Sequence, residues 1–286
     1  MKKIWNIIDI LNWGEEYFKK YNIEQPRLNI EHLLAYLLKK KRLELYLDFE
    51  TILQNSELNN LKKLLKRRIE GEPLIYILGE TKFYDCTIKV SPSVLIPRAE
   101  TEGMVDIIFQ TINNHLSNLS IVDLGTGSGC IAIALASKLK TANIQAVDNS
   151  RQSLEIAREN SQINNVSSHI SFIEEDMLAF LKNKKFDIII SNPPYISQNE
   201  FNTLNKSVKE FEPEGALTDN LDGKIYLQGI ITSLPETLQP GGNAFLEFGY
   251  NMREWIMKTV KPLPLKAKIF KDIHGHDRFV MLTHRC

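Results

Sequence analysis

The chain has 286 residues, of which 43% are hydrophobic, and its 35 basic side chains are balanced by 35 acidic ones. This length allows one large hydrophobic core and a smaller one, and zero net charge argues against a general attraction to nucleic acid or to an anionic membrane. We find no apolar run of about 18 residues and no signal-peptide pattern, so we expect a cytoplasmic protein without membrane contact. The scattered cysteines Cys86, Cys130 and Cys286 predict reduced thiols and no metal site.

The first 75 residues show helical periodicity and predict a small helical bundle. Apolar residues recur at helical spacing behind Pro26 in "PRLNIEHLLAYLLKK". In "SELNNLKKLLKRRIEG" a leucine stripe follows Ser56, a predicted N-cap, and stops at Gly71. Acidic residues largely balance the basic stretches 39–42 and 62–68, so a solvated helix face is favoured there, and a surface for docking a protein partner remains open.

Residues 76–102 change pattern and predict a linker with a β-hairpin. The segment "KFYDCTIKV" alternates as strands do, and "SPSVLIPRAETE" follows with two prolines and clustered charge. Over residues 103–286, short apolar strands alternate with helical stretches, which predicts an α/β fold with a mostly parallel, doubly wound sheet. The last two strands, joined by "HGHD", predict an antiparallel hairpin at the edge of that sheet.

Three predicted strands end in residues that suit a nucleoside cofactor. The first runs into "DLGTGSGC", where Gly125, Gly127 and Gly129 allow a sharp turn, but Cys130 stands where the dinucleotide fingerprint needs glycine. Asp148 ends the second strand and can accept hydrogen bonds from ribose hydroxyls, although it can also cap the next helix. Asp176 and Met177 end the third strand, where an adenine would lie. A nucleoside cofactor without a diphosphate is favoured, and S-adenosylmethionine fits.

The fourth strand stops at "NPPY", residues 192–195. Two prolines make this loop rigid, so that the side-chain oxygen of Asn192 and the carbonyl of Pro193 can both accept hydrogen bonds. Two acceptors aimed at one point fit a planar NH₂ group, and they would direct its lone pair toward an electrophilic methyl group. Tyr195 would cover the open side. The alternative is an ordinary loop that closes a strand.

At these motifs the sequence resembles the HemK/PrmC protein-glutamine N5-methyltransferases, which modify the glutamine of the Gly-Gly-Gln motif in class I peptide chain release factors. The resemblance covers nearly the whole chain and extends from "PRLNIEHLLAYLL" through "GEPLIYILGETKFY", "VSPSVLIPRAETE", "DLGTGSGCIAIALA", "AVDNS" and "SNPPYI" to "FEPEGALTDNLDG", "LQPGGNAFLEFGY" and "IHGHDRFV". It implies a class I S-adenosylmethionine-dependent methyltransferase, with a Rossmann-like seven-stranded sheet and an amino-terminal helical domain. The motif "NPPY" alone also occurs in methyltransferases that act on adenine.

The resemblance implies a role for individual residues. The cofactor loop would be formed by Gly125, Thr126, Gly127, Ser128 and Gly129, with Asp148 on the ribose and Met177 beside the adenine. Asn192 would contact both cofactor and substrate, and Pro193, Pro194 and Tyr195 would complete the glutamine pocket. Arg98, Glu100 and Glu102 would hold a lid or the target loop, with a surface charge network as the alternative, and Glu212 and Pro213 would close over the substrate. Ala99, Asp85 and Lys224 depart from the family pattern without removing a catalytic group.

Other functions remain open at this point. The target could be a glutamine of a ribosomal protein, which the catalytic motifs do not exclude. It could be the exocyclic amine of adenine, which would need an extruded base and a cationic groove. A non-enzymatic binding module is disfavoured because Asp123, Asp148, Asn192 and Tyr195 are intact. We expect a monomer without stable nucleic-acid binding, in which residues 1–75 recognise the release factor.

Overall fold

Five helices build the amino-terminal unit, Met1–Gly79, of the computed structural model, which describes residues 4–112 and 118–285. Cys286, predicted to be a reduced thiol, lies outside the described residues. The helices are α1 (Ile7–Lys20), α2 (Pro26–Leu38), α3 (Arg42–Leu47), α4 (Asn55–Ile69) and α5 (Leu74–Leu78). Pro26 is the first residue of α2, where its missing amide costs little.

The amino-terminal unit has its own hydrophobic core. Ile7 and Leu11 of α1 pack with Leu33 of α2 and Leu61 of α4. A Cβ at Gly14 would lie 2.6 Å from the Cδ1 atom of Ile30, so the small residue permits α1 to approach α2 closely.

The start of α4 corrects one prediction. Its N-cap is Gln54 and not Ser56, which lies inside the first turn. The reason is a capping box, in which the backbone amide of Gln54 donates to Glu57 Oε2 at 2.7 Å. The N-cap therefore lies two residues before the predicted Ser56. At the other end Gly71 follows the helix with φ +105°, as the glycine signal predicted.

The second unit, Glu80–Cys286, is an α/β fold. Its elements in chain order are β1 (Glu80–Phe83), β2 (Cys86–Lys89), α6 (Ala99–Thr111), β3 (Ser120–Leu124), α7 (Cys130–Lys138), β4 (Asn143–Asp148), α8 (Arg151–Ile163), β5 (Ile170–Glu174), α9 (Met177–Leu181), β6 (Phe186–Ser191), α10 (Gln198–Thr203), α11 (Lys206–Lys209), α12 (Ile225–Thr237), β7 (Leu238–Glu247), α13 (Arg253–Val260), β8 (Leu265–Lys271) and β9 (Asp277–His284).

Seven strands form one sheet in the order β5-β4-β3-β6-β7-β9-β8. The first five of these strands are parallel, and β9 and β8 are antiparallel additions. The chain leaves β3 toward β4 on one side and returns to β6 on the other, so the carboxyl ends of β3 and β6 flank a topological switch point, where ligands bind in open α/β sheets. The predicted parallel sheet and carboxyl-terminal hairpin are confirmed.

The segment predicted as a linker contains more regular structure than its composition indicated. The hairpin pairs Glu80 with Lys89 and Phe83 with Cys86. Residues 99–102 are the first turn of α6 and not part of an irregular linker, because Glu100 and Glu102 favour a helix amino terminus. The functional division at residues 75 and 102 stays a prediction.

The core of the sheet is strongly apolar. Val122 of β3, Ile189 of β6 and Leu246 of β7 are fully buried and pack with Leu227 and Ile231 of α12. At the sheet edge, β8 carries Lys266, Lys268 and Lys271, all exposed. Among the described residues, no helix is long and apolar enough to cross a membrane.

Candidate active site

The glycine-rich loop lies between β3 and α7, as predicted. Gly125, Gly127 and Gly129 all have positive φ, between +55° and +79°. The amides of Gly125 and Thr126 both donate to the carbonyl of Val147, at 2.9 and 3.0 Å, so the loop is tied to the end of β4. A Cβ at Gly127 would meet nothing within 4 Å and would project into open space, which leaves room for a ligand beside the backbone.

Asp148 is held at the end of β4 by two backbone amides. Its Oδ2 accepts from Gly127 and its Oδ1 from Ser150, both at 2.9 Å. Burial raises the pKa of the Asp148 carboxyl, and these two hydrogen bonds oppose the shift. The N-cap of α8 is Ser150, whose side chain accepts from the Ser153 amide, so the alternative reading of Asp148 as the helix cap is wrong.

Asp176 and Met177 lie at the turn from β5 into α9. Asp176 caps α9, because its Oδ1 accepts from the amides of Leu178 and Ala179 at 3.0 and 2.9 Å. Met177 lies over the glycine-rich loop, with its Cε 3.0 Å from the position that a Cβ would take on Gly125. This capping role of Asp176 is not among the predictions from the sequence.

These residues share one cavity of about 280 Å³ at the switch point. Its lining consists of Ser93, Val94, Leu95, Gly125, Gly127, Asp148, Asn149, Ser150, Ser153, Asp176, Met177, Asn192, Pro194, Pro213, Gly215, Ala216, Thr218, Asp219, Asn220 and Tyr226. This set contains three carboxylates and, within the described chain, no lysine or arginine. Such a lining suits a cationic nucleoside better than a diphosphate.

A buried acid lies behind the glycine-rich loop and helps to fix it. Asp123 is 1% exposed, and its Oδ2 accepts from the Thr126 hydroxyl at 2.6 Å. Burial raises the pKa of Asp123 to about 6. Asp123 does not line the cavity, so the test of the cofactor rests on the lining itself. Its three carboxylates and open glycine backbone fit a sulfonium-bearing nucleoside such as S-adenosylmethionine.

The "NPPY" loop follows β6 and is fixed to β3. The Ser191 hydroxyl donates to the carbonyl of Leu124 at 2.8 Å, which holds the ends of the two strands together. Asn192 and Pro194 line the cavity, whereas Pro193 is buried beside it. The Asn192 Nδ2 atom donates to Thr101 Oγ1 at 3.4 Å. The structure thus brings Asn192 into the same cavity as Gly125, Gly127, Asp148, Asp176 and Met177.

Tyr195 points to a buried polar cluster that the sequence analysis missed. Its hydroxyl donates to Glu247 Oε1 at 3.0 Å, and Arg278 Nη1 donates to the same hydroxyl at 3.4 Å. Burial raises the pKa of Tyr195 far above its usual value, so the phenol is neutral. Burial also raises the pKa of Glu247, against the hydrogen bonds from Thr101 and Tyr195. Glu247 ends an apolar strand, as Asp148 does, and that signal could have identified it.

The charged residues before and within α6 have separate partners. Arg98 Nη2 pairs with Glu212 Oε1 at 2.6 Å, and Glu212 Oε2 accepts from the Ile96 amide at 3.3 Å. Glu100 faces His274 at 3.4 Å, and Glu102 accepts from the Tyr84 amide at 2.8 Å.

The three charged residues therefore form no network with one another, and none of them lines the cavity. Pro213, beside Glu212, does line it. The predicted roles of Arg98 and Glu100 in substrate binding stay predictions.

A second loop, residues 217–225, packs against the "NPPY" loop. The Ile196 amide donates to the Leu217 carbonyl at 3.0 Å. Asp219 accepts from the amides of Leu221, Gly223 and Ile225 at 2.8, 2.9 and 3.0 Å and so fixes the course of its own loop. Gly223 has φ +75°, and a Cβ there would lie 2.7 Å from the Tyr195 carbonyl carbon and closer still to its oxygen.

A parallel sheet with a glycine-rich loop, an acid at the end of the next strand and an "NPPY" loop at the switch point defines an S-adenosylmethionine-dependent methyltransferase of class I. Two family models match, the methyltransferase small domain over residues 100–220 and the PrmC N-terminal domain over residues 9–79. The chain belongs to the release factor glutamine methyltransferase family. Its cofactor is S-adenosyl-L-methionine, and the fold, family and cofactor predictions are confirmed.

The similarity to relatives extends over nearly the whole chain. Release factor glutamine methyltransferase from Chlorobaculum tepidum is 38% identical, over 97% of this chain and 97% of that protein. The enzyme of the same name from Leptospira interrogans is 36% identical, over 97% of this chain and 98% of its own length. Among solved structures, the hMettl16 catalytic domain in complex with a MAT2A 3′UTR hairpin has a TM-score of 0.56 at 15% identity, with 88% of this chain and 91% of that chain covered. That likeness shows the fold alone.

Proposed function

We propose that this protein transfers a methyl group from S-adenosylmethionine to the side-chain amide nitrogen, N5, of the glutamine in the Gly-Gly-Gln motif of class I peptide chain release factors. The observation that carries the proposal is the position of Asn192. It lines the cavity that also contains Asp148 and the glycine-rich loop, so a planar amide held by Asn192 would meet the cofactor at the switch point. The full-length similarity to enzymes named for this reaction supports the same substrate.

We assign the cofactor to the residues at three strand ends. Gly125, Thr126, Gly127, Ser128 and Gly129 would hold it along the backbone, since the loop has room beside Gly127. Asp148 would accept from the ribose hydroxyls, and Met177 would pack beside the adenine, with Asp176 near its exocyclic amine. When bound, S-adenosylmethionine supplies an electrophilic methyl group.

We assign the substrate amide to the "NPPY" loop. The Asn192 Oδ1 atom and the Pro193 carbonyl would accept the two hydrogens of the glutamine NH₂ group, which fixes the plane of the amide and directs the nitrogen lone pair. The same two acceptors stabilise the positive charge that develops on nitrogen. Pro194 and the ring of Tyr195 would form the walls of the pocket. The nitrogen becomes acidic when it is alkylated, so its extra proton can pass to water without a dedicated base.

Substrate selection would involve parts of the chain away from the reacting atoms. Arg98 and Glu212 join the loop before α6 to the segment that contains Pro213, and we propose that this pair and Glu100 shape the entrance for the target loop. The helical unit Met1–Gly79 would contact the release factor away from its glutamine. We place the reaction in the cytoplasm, by a monomer. The rival adenine target is disfavoured, because the cavity lining contains no lysine or arginine in the described chain.

Mass spectrometry tests the proposal directly. A purified class I release factor is incubated with this protein and S-adenosylmethionine, beside a factor whose Gly-Gly-Gln glutamine is changed. We expect one added methyl group on that glutamine and none on the changed factor. If neither factor gains a methyl group, the proposed substrate is wrong, and ribosomal proteins and adenine become the targets to examine.

A further inference from the structure

A buried chain of hydrogen bonds connects Asn192 to two residues outside the cavity. Asn192 follows β6, Thr101 lies in the first turn of α6, and Glu247 is the last residue of β7. The Asn192 Nδ2 atom donates to Thr101 Oγ1 at 3.4 Å, and the Thr101 hydroxyl donates to Glu247 Oε2 at 2.8 Å. Thr101 and Glu247 are 3% and 2% exposed, and neither lines the cavity.

The hydrogen bonds that join Asn192, Thr101 and Glu247 all run the same way, with each donor on the Asn192 side and each acceptor on the Glu247 side. Both oxygens of Glu247 are used as acceptors, Oε2 by Thr101 and Oε1 by Tyr195. A threonine hydroxyl has a single hydrogen, so when that hydrogen is donated to an ionised Glu247, which the hydrogen bonds from Thr101 and Tyr195 and the charge of Arg278 favour, the oxygen can only accept from Asn192. The end of the Asn192 amide that faces Thr101 must therefore be its NH₂ group.

The consequence for the cavity is the placement of an acceptor. The oxygen and nitrogen of an amide diverge from the same carbon, so with Nδ2 held by Thr101 the Oδ1 atom faces away from Thr101. Among the residues that the structure describes, nothing donates to Asn192 Oδ1. A reversed Asn192 amide would instead turn hydrogens toward the hydrogens of a substrate NH₂ group and could not hold it.

We propose that Thr101 and Glu247 are positioning residues that set the orientation of the Asn192 amide, so that its oxygen meets the substrate amide. This inference rests on the proposed function, because it assumes an NH₂ group as the target. Thr101 and Glu247 lie outside the cavity lining, and Asn192 is the one residue assigned to the cofactor that they are linked to. The glycine-rich loop, Asp148 and Met177 are untouched by the loss of the Thr101 hydroxyl, so this change should slow the chemical step and leave most of the cofactor affinity.

Three threonine variants test the inference. Thr101→Val removes the hydroxyl at nearly constant shape, Thr101→Ser keeps it, and Thr237→Val is the matched control, because Thr237 is also buried but donates to the Ser233 carbonyl within α12. The measurements are kcat and KM for a class I release factor, and the affinity for S-adenosylmethionine by calorimetry. We expect Thr101→Val to lower kcat by about tenfold or more, since small misplacements of a positioned group cost this much. Thr101→Ser should restore most of the rate, and Thr237→Val should match the wild type.

The outcomes separate the inference from the proposed function. A wild-type protein that leaves the factor unmethylated refutes the proposed function, and the inference falls with it. An active wild type together with an equally active Thr101→Val protein overturns the inference alone, as does a Thr101→Ser protein that is as slow as Thr101→Val. If Thr101→Val does not fold, Glu247→Leu takes its place: it removes the acceptor of the Thr101 hydroxyl and frees that hydroxyl to turn toward Asn192. We then expect lower kcat with most of the cofactor affinity kept, and wild-type kcat would overturn the inference.

Discussion

Replacing Gly223 by alanine should disable the enzyme through the backbone of the "NPPY" loop. Gly223 lies against the Tyr195 carbonyl and contributes no side chain to the cavity. A Cβ there would stand 2.7 Å from the Tyr195 carbonyl carbon, so the two loops must separate by at least roughly 0.7 Å to reach ordinary contact at 3.4 Å, and by more to clear the carbonyl oxygen, which is nearer. Tyr195 is two residues from Pro193, whose carbonyl we assign to the substrate amide.

The expected magnitudes follow from this geometry. The positive φ of Gly223 costs an L-residue about 1–2 kcal/mol of unfolding free energy. A shift approaching 1 Å in a positioned acceptor can cost up to about 10²-fold in rate. Gly241→Ala is the matched control, because Gly241 has a similar φ of +81° but nothing within 4 Å of a Cβ. The control should lose the same backbone stability and keep its activity.

The assay compares initial rates of methyl transfer to a release factor with denaturant unfolding of both variants. We expect both to lose stability, Gly223→Ala the more, and only Gly223→Ala to lose kcat by one to two orders of magnitude. A Gly223→Ala protein that turns over as fast as Gly241→Ala would refute the reasoning, because the contact with Tyr195 would then have no effect on the clamp.

Three further expectations concern single side chains. Asn192→Ala should lower kcat by about 10²-fold or more, because it removes one of the two acceptors of the substrate amide. The unfolding midpoint should change little, since the side chain is only partly buried. A variant that keeps its turnover would contradict the role of Asn192 and the Pro193 carbonyl in holding the amide. Arg98→Ala should lower the unfolding free energy by about 1–3 kcal/mol, because it leaves Glu212 buried without its charge partner, whereas the exposed Arg253→Ala should cost under about 1 kcal/mol; equal losses in denaturant titrations would contradict this. The pKa of Asp123 is raised to about 6 from 3.8, so the folded state holds a proton that the unfolded chain releases, and stability from this group falls as the pH rises through this interval. Relative to Asp123→Asn, the wild type should lose about 2 kcal/mol of unfolding free energy between pH 4 and pH 7. Parallel pH profiles of the two proteins would contradict this expectation.

Much of the site could be predicted because its residues stand at the ends of consecutive parallel strands. Carboxyl ends of such strands share one edge of the sheet, so the glycine-rich loop, Asp148, Met177 and Asn192 had to lie near one another once the strands were recognised. The apolar runs that mark these strands are short and bounded by glycine and proline, which makes the strand signal strong. The local sequence was therefore enough to predict that these strand-end residues lie near one another.

The contacts that sequence reasoning could not predict join residues far apart in the chain. Thr101 and Glu247, which were not named from the sequence, are 146 positions apart, and Arg98 and Glu212, which were named without their partners, are 114 apart. No local pattern around either pair indicates which distant residue it contacts. The Ser56 error has a different origin, because Glu57 accepts from the backbone amide of Gln54 and so places the N-cap at a residue type that is not a usual N-cap signal.

The row of lysines on β8 bears on how this protein behaves at high concentration. An edge strand offers unpaired backbone groups to any other strand, including β8 of a second copy. Antiparallel pairing of two such strands would set the ammonium groups of Lys266 and Lys268 close to those of the other copy, and like charges across a strand pair are unfavourable. The lysines thus disfavour extension of the sheet through β8 and the aggregation that would follow from it.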